Sequence, residues 1–291
     1  MGITAAAVER YVRKLAAEIG ERNVFRPEAL QAAANYIQAE LKAQGHEVSV
    51  QEYQARGVMS RNLEVVISGT TRTSEILLIG AHYDSVLGSP GADDNASAVA
   101  ALLEMARLLR GANMERTVRL VAFVNEEPPF FFWGDMGSKI YAKAARRRGD
   151  DIRLMLSLEM LGYYRDEPGS QRYPPLFRYF YPDRGDFIAF VSNLRSRDAL
   201  KRTVAAFRAH TDFPCQHTAT FGWMPGVAWS DHLSFWRQGY RALMVTDTAF
   251  YRNPYYHSAL DTPDRLDYVR LARVTEGLVG MVRGLASDPQ L

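Results

Sequence analysis

Short runs of apolar and β-branched residues alternate with stretches of helical spacing along almost the whole chain. Strand-type runs cover 48–53, 62–68, 76–82, 118–125, 154–160, 187–192 and 243–246. Helical spacing covers 5–19, 26–44, 95–109, 137–147, 198–209 and 266–285. This alternation predicts an α/β fold, a mixed and mostly parallel sheet sandwiched by helices. A length of 291 residues equals about two average domains, but α/β hydrolytic folds often run this long as one. The expected organisation is therefore a single domain over 1–291. With 47% hydrophobic and 23% charged residues the chain can bury a large core, and disordered or collagen-like classes are excluded. The single cysteine, Cys215, excludes an internal disulfide framework and reads as a buried structural residue.

The charge balance is nearly even. Thirty-five basic and 33 acidic residues give a net charge of +2, which makes no case for nucleic acid. Glu9, Arg10, Arg13, Lys14 and Glu18 interrupt the apolar stretches near the start, so no secretory segment is read there. No window approaches about 18 apolar residues, so no membrane span is expected. A cytoplasmic location is the default expectation. The stretch 163–185 breaks the pattern, being aperiodic and rich in proline and aromatic residues. Long loops inside compact domains are usually functional, and this one is expected to act as a lid.

Open α/β sheets carry their sites at the carboxyl ends of strands, and the strand ends here are unusually polar. The run 76–82 ends in Ala81-His82-Tyr83-Asp84-Ser85. Asp84 lies two residues after His82, so in extended chain both face the same way, and its carboxylate could accept the second ring N–H. Gly91-Ala92-Asp93-Asp94-Asn95 follows. A helix N-cap explains one acid there but not two beside a histidine. Glu126-Glu127 follows the buried run 118–125, where two carboxylates can divide the labour of metal ligand and general base. Glu159 lies in an apolar strand, and His257 in Tyr255-Tyr256-His257-Ser258. Asp94, Glu127 and Glu159 bring three negative charges and the neutral imidazoles none. Two divalent metals and one hydroxide balance them. Mixed histidine and carboxylate donors suit zinc better than calcium or magnesium.

These motifs, with Asn125-Glu126-Glu127, Leu158-Glu159-Met160 and Ser230-Asp231-His232, occur in an order that resembles the di-zinc aminopeptidase family. That family includes bacterial leucyl aminopeptidases and, more distantly, glutaminyl cyclases and transferrin-receptor ectodomains. The resemblance implies two zinc ions. His82 and Glu159 would hold one, Glu127 and His257 the other, and Asp94 would bridge them. It implies Glu126 as general base and acid toward a metal-bridging hydroxide. Asp84 would orient His82, and Tyr256 would donate to the oxyanion. It also implies a cis peptide between Asp94 and Asn95. The chain departs from the family at Glu159, where many members have aspartate, and at Pro128-Pro129-Phe130-Phe131-Phe132-Trp133, where a glycine-rich continuation is commoner.

The leading expectation is thus a zinc exopeptidase acting on peptide N-termini. The alternatives are a one-zinc glutaminyl cyclase, a carboxypeptidase using Arg165, Arg172, Arg178 or Arg252 for a terminal carboxylate, and a non-catalytic binding relative. Ser230-Asp231-His232 is not read as a catalytic triad, because no G-x-S-x-G elbow exists. Asp231 is expected in the pocket wall or behind the ligands, and 261–264 as a helix start. The segments 163–184, 130–133 and 221–224 are expected to form an apolar pocket over the metals. That pocket would favour large apolar or aromatic side chains over acidic ones.

Overall fold

The computed structural model describes residues 2–132 and 134–291. Its centre is one eight-stranded sheet. The strands are β1 (Val48–Ala55), β2 (Val58–Ile67), β3 (Arg72–His82), β4 (Arg116–Phe123), β5 (Asp151–Glu159), β6 (Ile188–Asn193), β7 (Cys215–Thr220) and β8 (Ala242–Thr246). They lie in the order β1-β2-β4-β3-β5-β8-β6-β7. Strands β4, β3, β5 and β8 run parallel, and β6 pairs antiparallel with β8. The hairpin of β1 and β2 adds antiparallel pairings at one edge, and β7 closes the other edge parallel to β6. The sheet is therefore mixed, with a parallel centre.

Helices cover both faces, because alternate residues of the central strands are apolar on both sides. Leu77, Ile79 and Ala81 of β3 pack in a cluster with α1 (Ala5–Arg13), α2 (Pro27–Ala43), α3 (Ala98–Leu109), α5 (Arg197–His210) and α7 (Tyr268–Ser287). Ile76 and Leu78 of the same strand face α4 (Gly137–Arg148) and α6 (His232–Arg237). The chain passes from α1 into a wider-wound turn, Lys14–Ile19, which ends at Gly20 with φ 82°. Among the described residues no helix is long and apolar enough to cross a membrane.

Two elements, β7 and α6, were absent from the sequence pattern. In β7 every residue after Cys215 is only part-buried, so the edge strand carries no continuous apolar run. α6 has six residues, too few to show a period. The expected helix over 95–109 starts irregularly, because Asp94 and Asn95 leave helical geometry (φ −102°, ψ 86° and φ −136°, ψ 35°) before α3 begins. Residues 261–264 do not open α7. A single short turn, Pro263–Arg265, intervenes, and the α7 cap is Asp267, whose side chain accepts from the Arg270 N–H.

Gly80 sits mid-strand in β3, where a Cβ would collide with the ring of Phe123 on β4. That ring is fully buried between Tyr141 and Phe235 and cannot step aside. Gly80→Ala should lower unfolding free energy by about 1–3 kcal/mol. A urea titration checks this, and an unchanged midpoint would show that the ring has room to move.

Candidate active site

The parallel strands deliver their polar residues to one edge of the sheet, as open α/β sheets do. His82 is the last residue of β3 and Glu159 the last of β5. Asp94 lies in the loop after β3, Glu126 and Glu127 just beyond β4, and His257 in the loop after β8. These side chains converge. The Nε2 atom of His82 lies 3.3 Å from Asp94 Oδ1 and 3.4 Å from Glu159 Oε2. The Nε2 atom of His257 lies 3.2 Å from Asp94 Oδ2 and 3.3 Å from Glu127 Oε2. Two groups of metal-type donors result, His82–Asp94–Glu159 and Asp94–Glu127–His257. They share Asp94, and within each group the donor atoms lie within 4.8 Å of one another. Glu126 belongs to neither group.

The donor set fits metal ions. His82 Nε2 and Glu127 Oε1 are buried and have no hydrogen-bond partner. Buried polar atoms left this way are costly unless something else binds them. The electrostatics agree. Burial, reinforced by the charge of Asp94, pushes the Glu127 carboxyl up to about 8. Burial raises Glu126 well above its usual range, with Glu127 and Glu159 adding to the effect against the pull of His82. Burial pushes His257 down, but its hydrogen bonds to Asp94 and Glu127 outweigh that and raise it to about 10. Burial also pushes Asp94 up, and the close approach of the His257 and His82 rings more than reverses this, leaving it below the carboxylate range. A divalent cation between these donors balances the same negative charge with both imidazoles neutral.

Neighbouring residues fix the donors in place. The Asp84 carboxylate accepts from the backbone N–H of both Glu126 and Glu127, each at 3.1 Å. It stands 3.6 Å from His82 Nδ1, which also lies 3.2 Å from the Asp84 carbonyl. Asp84 therefore ties the β4 end to the β3 end. Ser230 Oγ donates to Glu159 Oε2 at 2.6 Å and pairs with Ser157 Oγ at 2.8 Å. The Asp94–Asn95 peptide is cis, as is Pro128–Pro129. Asn95 donates to the Leu158 carbonyl and accepts from Met160 N–H, both at 2.9 Å, which binds this loop to the end of β5. Asn125, Met160 and His257 all have positive φ (60°, 50° and 54°), which is uncommon without glycine and clusters at functional sites.

Two further residues escaped the sequence reading. Asp261 is fully buried, and its two carboxylate oxygens accept from Asp93 N–H at 2.9 Å and Asp94 N–H at 3.1 Å. Arg22 is fully buried too. Its guanidinium donates to the carbonyls of Tyr83 (2.6 Å), Pro90 (2.5 Å), Gly91 (2.8 Å) and Gly20 (3.2 Å). It thus holds both ends of the 83–91 loop that separates His82 from Asp94. Gly91 has φ 61°, and a Cβ there would run into the Asp94 carbonyl, so the loop requires glycine at this point. Arg22 lies far from any motif, and Asp261 sits in a segment that reads as a helix start, so neither role has a signal in the sequence.

Tyr256 stacks on His257, with ring centroids 3.7 Å apart. Burial and the surrounding carboxylates raise its hydroxyl well above the usual range, so it stays a donor. A pocket of about 110 Å³ opens beside Glu159 and Tyr256. Tyr173, Phe177 and Tyr181 from the 163–185 stretch line it together with Met224, Trp229 and Phe250. Phe130 to Phe132 do not line it. Phe130 is buried in the core, Phe131 packs against that core, and Phe132 meets Arg237. Trp133 lies outside the described residues. Phe221 and Trp223 stack on each other at the surface. No triad forms at 230–232, because His232 Nε2 pairs with the Val227 carbonyl at 2.8 Å. The Asp231 carboxylate is fully buried without a hydrogen-bond partner, and burial raises it to about 7.

Arg22→Met should leave several buried carbonyls unserved and lower stability by about 3 kcal/mol or more. Chemical denaturation measures this. An unchanged midpoint would mean that other donors reach those carbonyls.

The model of the family described as Peptidase family M28 matches residues 62–282. The uncharacterized protein YfbL of Escherichia coli (strain K12) is 40% identical over 284 residues, covering 94% of this chain and 86% of its own length. The probable aminopeptidase YDR415C of Saccharomyces cerevisiae is 29% identical and covers 77% of this chain, which spans only 56% of the yeast protein. The structure of BSAP, a zinc aminopeptidase from Bacillus subtilis, superposes with a TM-score of 0.76 at 15% identity, over 99% of this chain and 96% of that one. The structural likeness shows a shared fold. The family match runs from within β2 into α7 and contains every donor described above, so the chain belongs to peptidase family M28.

Proposed function

We propose that this chain is a zinc aminopeptidase that removes N-terminal residues from peptides. His82, Asp94 and Glu159 would hold one zinc ion, and Asp94, Glu127 and His257 a second. The observation that carries the reading is the pair of donor groups sharing Asp94, with Glu126 beside both and a member of neither. The family and the aminopeptidase names of the yeast and Bacillus relatives support it. Zinc, when bound, supplies a Lewis acid for the scissile carbonyl and lowers the pKa of water toward about 7.

The chain's own groups do the rest. A carboxylate close to the donor groups but not among them is free to carry a proton. Glu126 takes a proton from the attacking water on its carboxylate and returns it to the leaving amine. The Tyr256 hydroxyl donates to the oxygen that becomes negative as the carbonyl is attacked. Glu126 and Glu159 supply the negative charge that attracts a free α-ammonium group. The 163–185 stretch acts as a lid whose aromatic side chains keep bulk water from these groups. The pocket it walls is close in size to a cavity of about 150 Å³ that takes benzene, and it would bind a large apolar side chain.

Glu126→Gln should keep the metal and lose about 10²–10⁴-fold in kcat, whereas Glu127→Gln should lose metal. Metal analysis beside turnover of leucyl peptides distinguishes the two variants, and the opposite pattern would exchange their roles. A panel of peptides with free N-termini should rank leucine and phenylalanine above aspartate and glutamate. Fastest cleavage after an acidic residue would sink the pocket assignment. Zinc should also raise the melting temperature of metal-free protein, as any ligand of the folded state does.

A further inference from the structure

Beside the apolar pocket lies a second cavity, of about 300 Å³, between residues 163–172 and 250–254. Arg165, Arg172 and Arg252 line it, and Glu167 is the one acid among its lining residues. Among the described residues none of the three arginines forms an ion pair. Arg252 is buried, with Nε donating to Gln171 Oε1 at 2.8 Å and Nη1 to the Tyr163 carbonyl at 3.3 Å, while Nη2 has no partner. Arg165 spends Nε on the Tyr163 hydroxyl at 2.9 Å. Arg172 is exposed, and its side chain makes no hydrogen bond. Surface arginines are usually paired or solvated singly. Three around one cavity, with a net positive lining, form a place for an anion.

The walls of this cavity are fixed to each other. Arg172 N–H donates to the Tyr251 carbonyl at 2.8 Å, and Gln171 Nε2 donates to Thr248 Oγ1 at 2.9 Å. The site is thus built in advance, which reduces what a ligand loses on being ordered. The cavity also shares Arg172, Phe250 and Tyr251 with the apolar pocket that holds Glu159 and Tyr256. A peptide whose first side chain fills the apolar pocket has only a few further residues to span to the adjoining cavity, at no more than about 3.5 Å per residue.

We propose that the Arg165–Arg172–Arg252 cavity binds the free carboxylate at the far end of a short peptide substrate. The proposal rests on the aminopeptidase reading and narrows it, making the preferred substrates peptides of a few residues with an unblocked C-terminus. Guanidinium groups match a carboxylate through paired N–H donors, and the exposed Arg165 and Arg172 would flank it while Arg252 forms the floor. A free inorganic anion offers similar chemistry, so the test separates the two sources.

The zinc-loaded full chain is assayed on Leu-Ala-Ala and on its C-terminal amide. The acid should have kcat/KM about tenfold higher, mainly through KM. In Arg172→Gln and in Arg165→Gln the acid should lose most of that advantage, with thermal melts confirming that both variants fold. Calorimetry of the same two peptides with zinc-loaded Glu126→Gln reads binding without turnover, and the acid should again bind about tenfold more tightly. Failure to hydrolyse either peptide would refute the aminopeptidase reading alone, since the calorimetric difference still decides the site. Equal affinity for acid and amide overturns the proposal. So does an acid preference that persists in both arginine variants. Phosphate that stabilises the native chain but not Arg172→Gln, with acid and amide bound alike, would assign the cavity to a free anion and overturn it too.

Discussion

Buried negative charge is the constraint around which this molecule is arranged. Asp84, Asp94, Glu126, Glu127, Glu159 and Asp231 are all buried, and all gather at one edge of an otherwise apolar sheet. In a low-dielectric interior such a group of carboxylates cannot all be ionised without compensation. The two histidines approach Asp94 from opposite sides, and metal ions between them would complete the balance. Arg22 contributes from beneath. Burial lowers its guanidinium to about 10, and the fields of Asp84, Asp261, Asp94 and Glu127 oppose that loss. Its hydrogen bonds nevertheless go to backbone carbonyls, so it offsets charge without neutralising any one donor.

The family match begins at residue 62, and Arg22 lies forty residues before it. The N-terminal stretch is therefore part of the site's scaffold. Asn23 Nδ2 donates to the Ser85 carbonyl at 3.0 Å, and the Arg22 and Ser85 main chains are joined through Ser85 N–H at 3.0 Å. α1 packs on α7, α3 and the segment containing Asp94, so it carries this clamp as one body with the helical face of the sheet.

Much of this was readable from residue patterns, for a physical reason. Acids and histidines at the ends of apolar runs stand out against β-branched neighbours, and the sheet's parallel centre brings all such ends to one edge. His82, Glu127 and Glu159 stood out in that way, while Asp94 and His257 were picked out by the loop motifs that carry the family resemblance. Residues that act by hydrogen-bonding the main chain were not. Asp261 looked like a helix start because Asp-x-Pro is a common opening, while its actual partners lie about 168 positions away. Phe130 and Phe131, aromatic and just after Glu127, could be read equally as core or as pocket wall. A turn after the Pro128–Pro129 bond directs them into the core instead, and the pocket takes its aromatics from 163–185. Burial on one side of a loop or the other has no signature in composition.

The site's rigidity comes from a device used twice. Asp84 accepts from the consecutive N–H groups of Glu126 and Glu127, and Asp261 accepts from those of Asp93 and Asp94. Successive backbone N–H groups form a concave positive patch that suits an anion. A carboxylate seated there has both oxygens engaged, so it is withdrawn from competition for a cation. The residues whose N–H groups hold it have their backbones fixed, and their own side chains remain free to serve as donors. Asp84 thereby sets the divergence of Glu126 from Glu127, and Asp261 sets the direction of Asp94. Glu126 and Glu127, adjacent in sequence, are thus held by one anchor, while only Glu127 joins a donor group. A backbone anchored in this way is held by hydrogen bonds that lie out of reach of water.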